Sequence, residues 1–205
     1  MPDLFEVIHA RRSVRKFQPQ PVPKELVLEV LAASGWAPSA HNAQPYGFII
    51  LENAKIKQEL ADAMAQVWVE DLAKEGQTID ADKRQERVER FAKAPVLILA
   101  CITRIEGLPN YSDERRQTCL HDLAVQSLGA AIENLLLASH AKGLGACWYS
   151  APCFCKKTVR QTLEIPDEVE PQAFVVLGYP AENPSVPPKK PLAAFCFVDE
   201  WGRTL

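Results

Sequence analysis

From Cys119 to Ala141 the chain repeats apolar residues at helical steps: Leu120, Leu123, Ala124, Leu128, Ala131, Ile132, Leu135 and Leu136. Between Gly129 and Ala138 hydrophobic side chains fall on nearly every side of the helix that those steps define. A helix with one apolar stripe can lie on a surface, whereas one apolar all round has to be enclosed. At the usual rise per residue it spans roughly 35 Å, so it is either the spine of the fold or part of a subunit interface. Lys142-Gly143 ends it with the residue type that helix C-termini favour. The rest of the chain must supply its cover.

Several segments can do so. Leu4, Phe5, Ile8 and Val7 mark a face of a short first helix that stops at Arg11-Arg12-Ser13. PKELVLEVLAASGWA reads as a second helix, with Pro23 near its start. The charged stretch from Ala54 to Ala92 reads as two helices joined near Gly76. YGFIIL, APVLILACIT, GACWYSA and AFVVLGYP are the strand candidates, and APVLILACIT is the strongest because its apolar run is β-rich. Their continuous hydrophobicity implies a sheet covered on both faces, but it leaves a parallel α/β sheet and an antiparallel one equally open. A chain of 205 residues is expected to be one domain, 1–205.

After Pro180 the composition changes. Five prolines from Pro180 to Pro191 rule out a packed helix, yet the tail ends in apolar AAFCFV. A stiff, extended segment with an apolar end needs a surface to lie against.

A net charge of −3, with both signs mixed along the chain, argues against a nucleic-acid or acidic-membrane binder. No apolar run reaches the ~20 residues of a membrane span, and the first residues lack the apolar region of a signal peptide. The six cysteines follow no disulfide-scaffold spacing, so reduced thiols and a cytoplasmic location are expected. Cys153-Phe154-Cys155 lacks a second ligand pair, and no metal is expected there.

Three constellations carry chemistry. RRSVRKF places Arg11, Arg12, Arg15 and Lys16 within six positions of an acidic chain. Guanidinium forks beside the Ser13 hydroxyl match phosphate oxygens, although a solvated helix end looks the same from sequence. Lys189-Lys190 adds a second cationic pair, which could meet the first if the chain ends converge. The loop Pro38-Ser39-Ala40-His41-Asn42-Ala43-Gln44-Pro45 offers amide donors and acceptors for a flat heterocycle, or for a self-satisfied turn. In GLGACWYSAP, a G-x-G after a helix and before a strand has the wrong context for a dinucleotide fingerprint. Small residues there fit backbone approaching a planar ring.

In order, RRSVRKF, A-P-S-A-x-N-x-Q-P, an apolar strand, a long apolar helix, G-L-G-A and V-L-G-Y-P…K-K-P resemble the FMN-dependent nitroreductase family over nearly the whole chain. DAMAQVWVEDL and FAKAP look most like the flavin reductase domain attached to a γ-glutamyl ligase of deazaflavin-coenzyme biosynthesis.

The resemblance implies an α+β fold, a mainly antiparallel sheet flanked by helices, in an intertwined homodimer. It implies FMN as cofactor, with no protein residue carrying the chemistry, and NAD(P)H and a small acceptor as substrates in a ping-pong cycle. Arg11, Arg12 and Ser13 would hold the ribityl phosphate side, joined by Lys189 and Lys190, and Arg15 would reach the N1 edge of the ring. Pro38, Ser39, Ala40 and Asn42 would come from the partner subunit. Cys147, Trp148, Tyr149 and Ser150 would pass the N5 side, where many relatives carry an acidic residue in place of Ser150. Residues 54–92 would cover the active site, and 181–205 would embrace the partner. The acceptor would be a nitroaromatic, a quinone or an unsaturated intermediate such as a dehydro deazaflavin precursor. A flavin-binding protein without turnover is the alternative.

Overall fold

The computed structural model describes residues 3–104 and 111–204. Four strands, β1 (Tyr46–Leu51), β2 (Val96–Ile102), β3 (Gly145–Tyr149) and β4 (Glu170–Gly178), form one sheet in the order β1-β2-β4-β3. Every pairing is antiparallel, with Tyr46 opposite Ile102, Val96 opposite Leu177, and Gly145 opposite Gly178. This settles the strand direction that hydrophobicity left open, in favour of the α+β fold. The register slips once, at Ala100/Cys101, where β4 carries Pro171 and the extra residue Gln172. A bulge is where a sheet tolerates proline.

The two central strands alternate sharply. Val96, Ile98, Ala100 and Ile102 join Ala173, Val175 and Leu177 under α2 (Lys24–Ser34) and α5 (Glu114–Ala141). Leu97, Leu99, Cys101, Phe174 and Val176 face α3 (Ala54–Lys74), α4 (Ala81–Ala92) and α6 (Lys156–Leu163). Double cover, not strand direction, made these strands read as unbroken apolar runs. Leu97, Leu99 and Phe174 are fully buried, and each such side chain contributes about 1.5–3 kcal/mol relative to exposure. The eight-residue α6 escapes notice in the sequence, because Val159 is its single buried residue.

At its start, α5 is capped by Asp113, whose carboxylate accepts from the Arg116 N–H at 3.0 Å. Its end is a left-handed turn at Gly143 (φ 77°), where Leu144 N–H donates to Ser139 O at 2.9 Å and Gly143 N–H to His140 O at 3.0 Å. Both helix-end carbonyls are thereby satisfied. Enclosure on all sides is not reached within one chain. Leu128, Ile132, Leu135 and Leu136 are buried, but Val125 is exposed and Gly129, Ala130 and Leu137 are only half-covered. The short helix α1 (Leu4–Ala10) is barer still, with Val7 buried and Leu4, Phe5 and Ile8 open to solvent. One chain leaves apolar surface on both helices. No described helix is long and apolar enough to cross a membrane.

Candidate functional site

The basic segment is clipped to the free edge of β3. Ser13 bridges Ala146 in parallel, and Val14 N–H donates to Ala146 O at 3.0 Å. Beyond it the chain pairs with the end of β4: Gln18 N–H donates to Tyr179 O at 2.8 Å and Ala181 N–H to Lys16 O at 2.9 Å. Val14 is buried, and a Cβ on Gly145 would fall 2.8 Å from its side chain. Two of the small residues of GLGA thus have uses inside the chain, Gly143 in the helix turn and Gly145 in making room for Val14.

The three arginine side chains then diverge. Arg11 pairs with Glu133 of α5 at 3.4 Å through its Nε, which is shut from solvent and makes no hydrogen bond. Arg12 folds back onto α1 and donates to His9 O at 2.6 Å and Arg11 O at 2.7 Å, so much of its donor capacity caps the helix. Arg15 has one long side-chain bond, to Ser13 O at 3.4 Å.

Two cavities flank this segment. One, about 260 Å³, is lined by Arg11, Arg12, His140, Gly143, Glu182 and Asn183. Burial, then the positive charge of Arg11 and Arg12, lowers the pKa of His140 and favours its neutral form. The other, about 490 Å³, opens beside Arg15, Phe17, Arg90, Lys93, Tyr149 and Val176. The Arg90 guanidinium lies 5.6 Å from the centre of the Tyr149 ring, and Phe91 meets that ring edge-on at 5.4 Å. Burial, reinforced by Cys147, pushes the Tyr149 phenol up to about 12 against the opposing pull of Arg90 and Arg15, so it stays protonated near neutrality.

Along β3, Cys147 is buried, Trp148 is partly exposed with its Cη2 3.8 Å from where a Gly129 Cβ would stand, and Tyr149 is half-buried. Ser150 is exposed and its carbonyl accepts from Cys153 N–H at 3.1 Å. Nearby, Cys153 Sγ donates to Gln172 O at 2.9 Å, which gives this thiol a partner within the protein. Among the described residues, no group of three or more His, Cys, Asp or Glu side chains could hold a metal ion.

Two expected contributors are not brought to β3 within one chain. The loop carrying Pro38, Ser39, Ala40 and Asn42 leads into β1, the opposite edge of the sheet. Three strand spacings, about 14 Å, separate the two edges. His41 (φ 54°), Asn42 (φ 54°) and Gln44 (φ 47°) all hold left-handed backbone. That strained form is fixed by Gln44 N–H donating to Ser39 Oγ at 2.9 Å and Gln44 Nε2 to Asn42 Oδ1 at 3.1 Å. Lys189 and Lys190 are exposed in the proline-rich tail and line neither cavity.

Sequence reasoning missed Glu182 and Arg90. Glu182 Oε1 accepts from the N–H groups of Arg15 at 2.7 Å and Lys16 at 3.1 Å, and these bonds, that of Arg15 first, lower its pKa. Successive N–H groups form a small anion-binding nest. Arg90 sits in α4, where more than half of the residues are ionic, and only the fold selects it. The adjacency of Glu182 to the V-L-G-Y-P segment was the one readable signal.

The donor set fits an anionic, ring-bearing cofactor. Arg11 presents a buried N–H without a hydrogen-bond partner, Ser13 sits beside it, and Arg15 with Arg90 put positive charge around the wall formed by Tyr149. The chain belongs to the nitroreductase family, which matches residues 8–179. It is 31% identical over 186 residues to a protein of Methanothermobacter thermautotrophicus provisionally named NADH dehydrogenase/NAD(P)H nitroreductase, covering 89% of this chain and 80% of the relative. A Bacillus subtilis protein provisionally named NAD(P)H nitroreductase is 28% identical over 189 residues, 92% of this chain and 90% of that one. Among solved structures, a BluB-like flavoprotein from Clostridium difficile superposes with a TM-score of 0.78 at 27% identity, covering 98% of this chain and 100% of its own.

Proposed function

We propose that this protein is an FMN-dependent oxidoreductase that passes hydride from NAD(P)H through flavin to a small organic acceptor. The observation that carries the reading is the segment 11–15, pinned by backbone pairing to the β3 edge while Arg11 and Arg15 keep donor capacity to spare. Arg11 and Ser13 bind the phosphate, with Lys189 and Lys190 closing on it from the tail. Arg12 adds charge but also caps α1. Arg15 and Arg90 line one cavity, where their positive charge favours the electron-rich state of a bound ring. FMN, when bound, supplies hydride acceptance and return, so no protein acid or base has to carry the chemistry. Tyr149, protonated at neutral pH, serves as a wall and neutral donor.

Charge-assisted hydrogen bonds contribute about 1.5–3 kcal/mol each. Three of them together with ring packing give FMN affinity of about micromolar or tighter.

Within this reading, the protein is one domain, 1–205, working as a homodimer. A second copy supplies Pro38, Ser39, Ala40 and Asn42, which one chain holds at the far edge of its sheet. The bare faces of α1 and α5 and the tail 181–205 form the contact between copies, and α3 and α4, within 54–92, cover the active site. The acceptor class is a nitroaromatic, a quinone or an unsaturated biosynthetic intermediate, with a dehydro deazaflavin precursor as its narrowest form.

The test is spectral. The purified protein reconstituted with FMN is expected to be yellow, to bleach anaerobically with NADH or NADPH, and to recolour with one member of an acceptor panel. Colour that no nicotinamide bleaches leaves a flavin binder without turnover, and failure to take up FMN overturns the reading entirely.

A further inference from the structure

A third cavity, about 370 Å³, lies among α3, α4 and the turn after β3, and none of its lining residues is assigned to the flavin. Its apolar wall is Met64, Val67, Leu72 and Phe154, and Cys155 closes it. Burial pushes the Cys155 thiol up to about 11, so it is a neutral wall near pH 7. Phe154 stands at the mouth with 81% of its surface exposed, an unusual place for a ring with nothing to cover it.

The other cations on and beside α4 are matched. Lys83 pairs with Asp80, Arg84 with Asp62, Arg90 with Glu86 and Lys93 with Glu89. Arg87 alone has no carboxylate partner and no hydrogen bond among the described residues, though it lines the cavity half-buried. Its guanidinium rests on the Trp68 ring, 4.3 Å from the centroid. That stacking fixes the plane of the fork, so its donors are oriented before any ligand arrives.

We propose that this cavity binds a flat, carboxylate-bearing organic molecule of one or two rings, its body against Met64, Leu72 and Phe154 and its carboxylate on Arg87. A guanidinium fork matches a carboxylate in bidentate fashion. The volume lies at the small end of ligand pockets. Two carboxylates, Asp71 and Glu75, share the lining. Asp71 is already held by Lys74 at 2.8 Å, and Glu75 is exposed. Their repulsion grows with ligand charge, so a monoanion on Arg87 is disfavoured less than a phosphate-like dianion. The site stands whether or not flavin turns over.

The experiment is calorimetric titration of the protein, flavin-loaded and flavin-stripped, with 2-naphthoate and 2-naphthamide. The acid is expected to bind at least tenfold more tightly than the amide in both forms. Arg87→Met should bring the acid down to the level of the amide, and Arg87→Lys should keep part of the preference. Phe154→Ala, a change at an exposed position that leaves the core alone, should weaken both probes several-fold and covers the case in which Arg87→Met fails to fold. Equal binding of acid and amide, no binding of either, an unchanged preference in Arg87→Met, or binding of the acid confined to flavin-stripped protein would each overturn the proposal.

Discussion

Two basic clusters, Arg11 to Lys16 and Lys189-Lys190, meet opposite fates. Residues 11–18 are stitched to β3 and β4 by backbone hydrogen bonds, with Val14 buried against Gly145 and Phe17 partly buried. Residues from Asn183 onward make few contacts, and Lys189 and Lys190 remain in solvent. Glu182 is the joint between the two regions. The difference teaches that basic side chains are given fixed positions where the backbone beneath them is held. Charge alone leaves them on a mobile-sized lever arm with rotamer freedom still to lose.

The most severe test of this contrast removes the room for Val14. Gly145→Ala should push segment 12–14 off the β3 edge and weaken FMN binding by at least tenfold. Overpacking of this kind typically costs about 1–3 kcal/mol of stability, seen as a lower Tm. The double variant Gly145→Ala, Val14→Ala should recover both quantities, and a failure to recover them would deny that this contact holds the segment.

Arg11 and Arg12 sharpen the comparison next. Arg11→Ala should weaken FMN binding by about tenfold or more at nearly unchanged Tm, the loss of one charge-assisted contact. Arg12→Ala should instead lower Tm, since its side chain caps the carbonyls of α1. Equal effects of the two on flavin affinity would show that neither is specialised.

Glu182 comes third. Its pKa lies below the ordinary value of 4.5, chiefly because Arg15 N–H donates to it. A lowered pKa in the folded state stabilises above the ordinary glutamate range and is lost as pH falls through the lowered value. Docking of the tail should therefore hold at neutral pH and loosen below about pH 4.5. Limited proteolysis after residue 183 should accelerate there in the wild type. Glu182→Gln should be cut faster at pH 7 and show no such acid step.

The smallest effect is expected at the free end. Lys189→Ala with Lys190→Ala should change the unfolding free energy by less than about 0.5 kcal/mol, as for surface positions without partners. The same pair should reduce FMN affinity more at low salt than at high salt, because exposed charges are screened. Flavin affinity indifferent to both changes would separate the tail from the phosphate.

What the residues announced in advance follows from how locally each feature is encoded. The span of β1, the heart of α5 and its glycine stop are short-range signals, and they appear where periodicity and turn chemistry place them. Strand direction is not local. Val96–Ile102 is apolar because helices cover it twice, and that composition suits either direction. Resemblance in motif order supplied the missing information. The short α6 has too few apolar positions to show a period. Gly145 was legible as a close approach, but its neighbour proved to be Val14. Glu182, Arg87 and Arg90 acquire meaning through partners that stand far away along the chain or are missing altogether.

The sheet order has a consequence for the timing of assembly. Because β3 joins the sheet through β4 alone, it has no strand of the sheet to pair with until residues 170–178 exist. The residues around Ser13 wait longer, since they need both that edge and the stretch near Tyr179 to dock against. Contacts of such long sequence separation form slowly. The segment around Ser13 thus precedes its docking partners by more than 130 residues and is among the last to find its place.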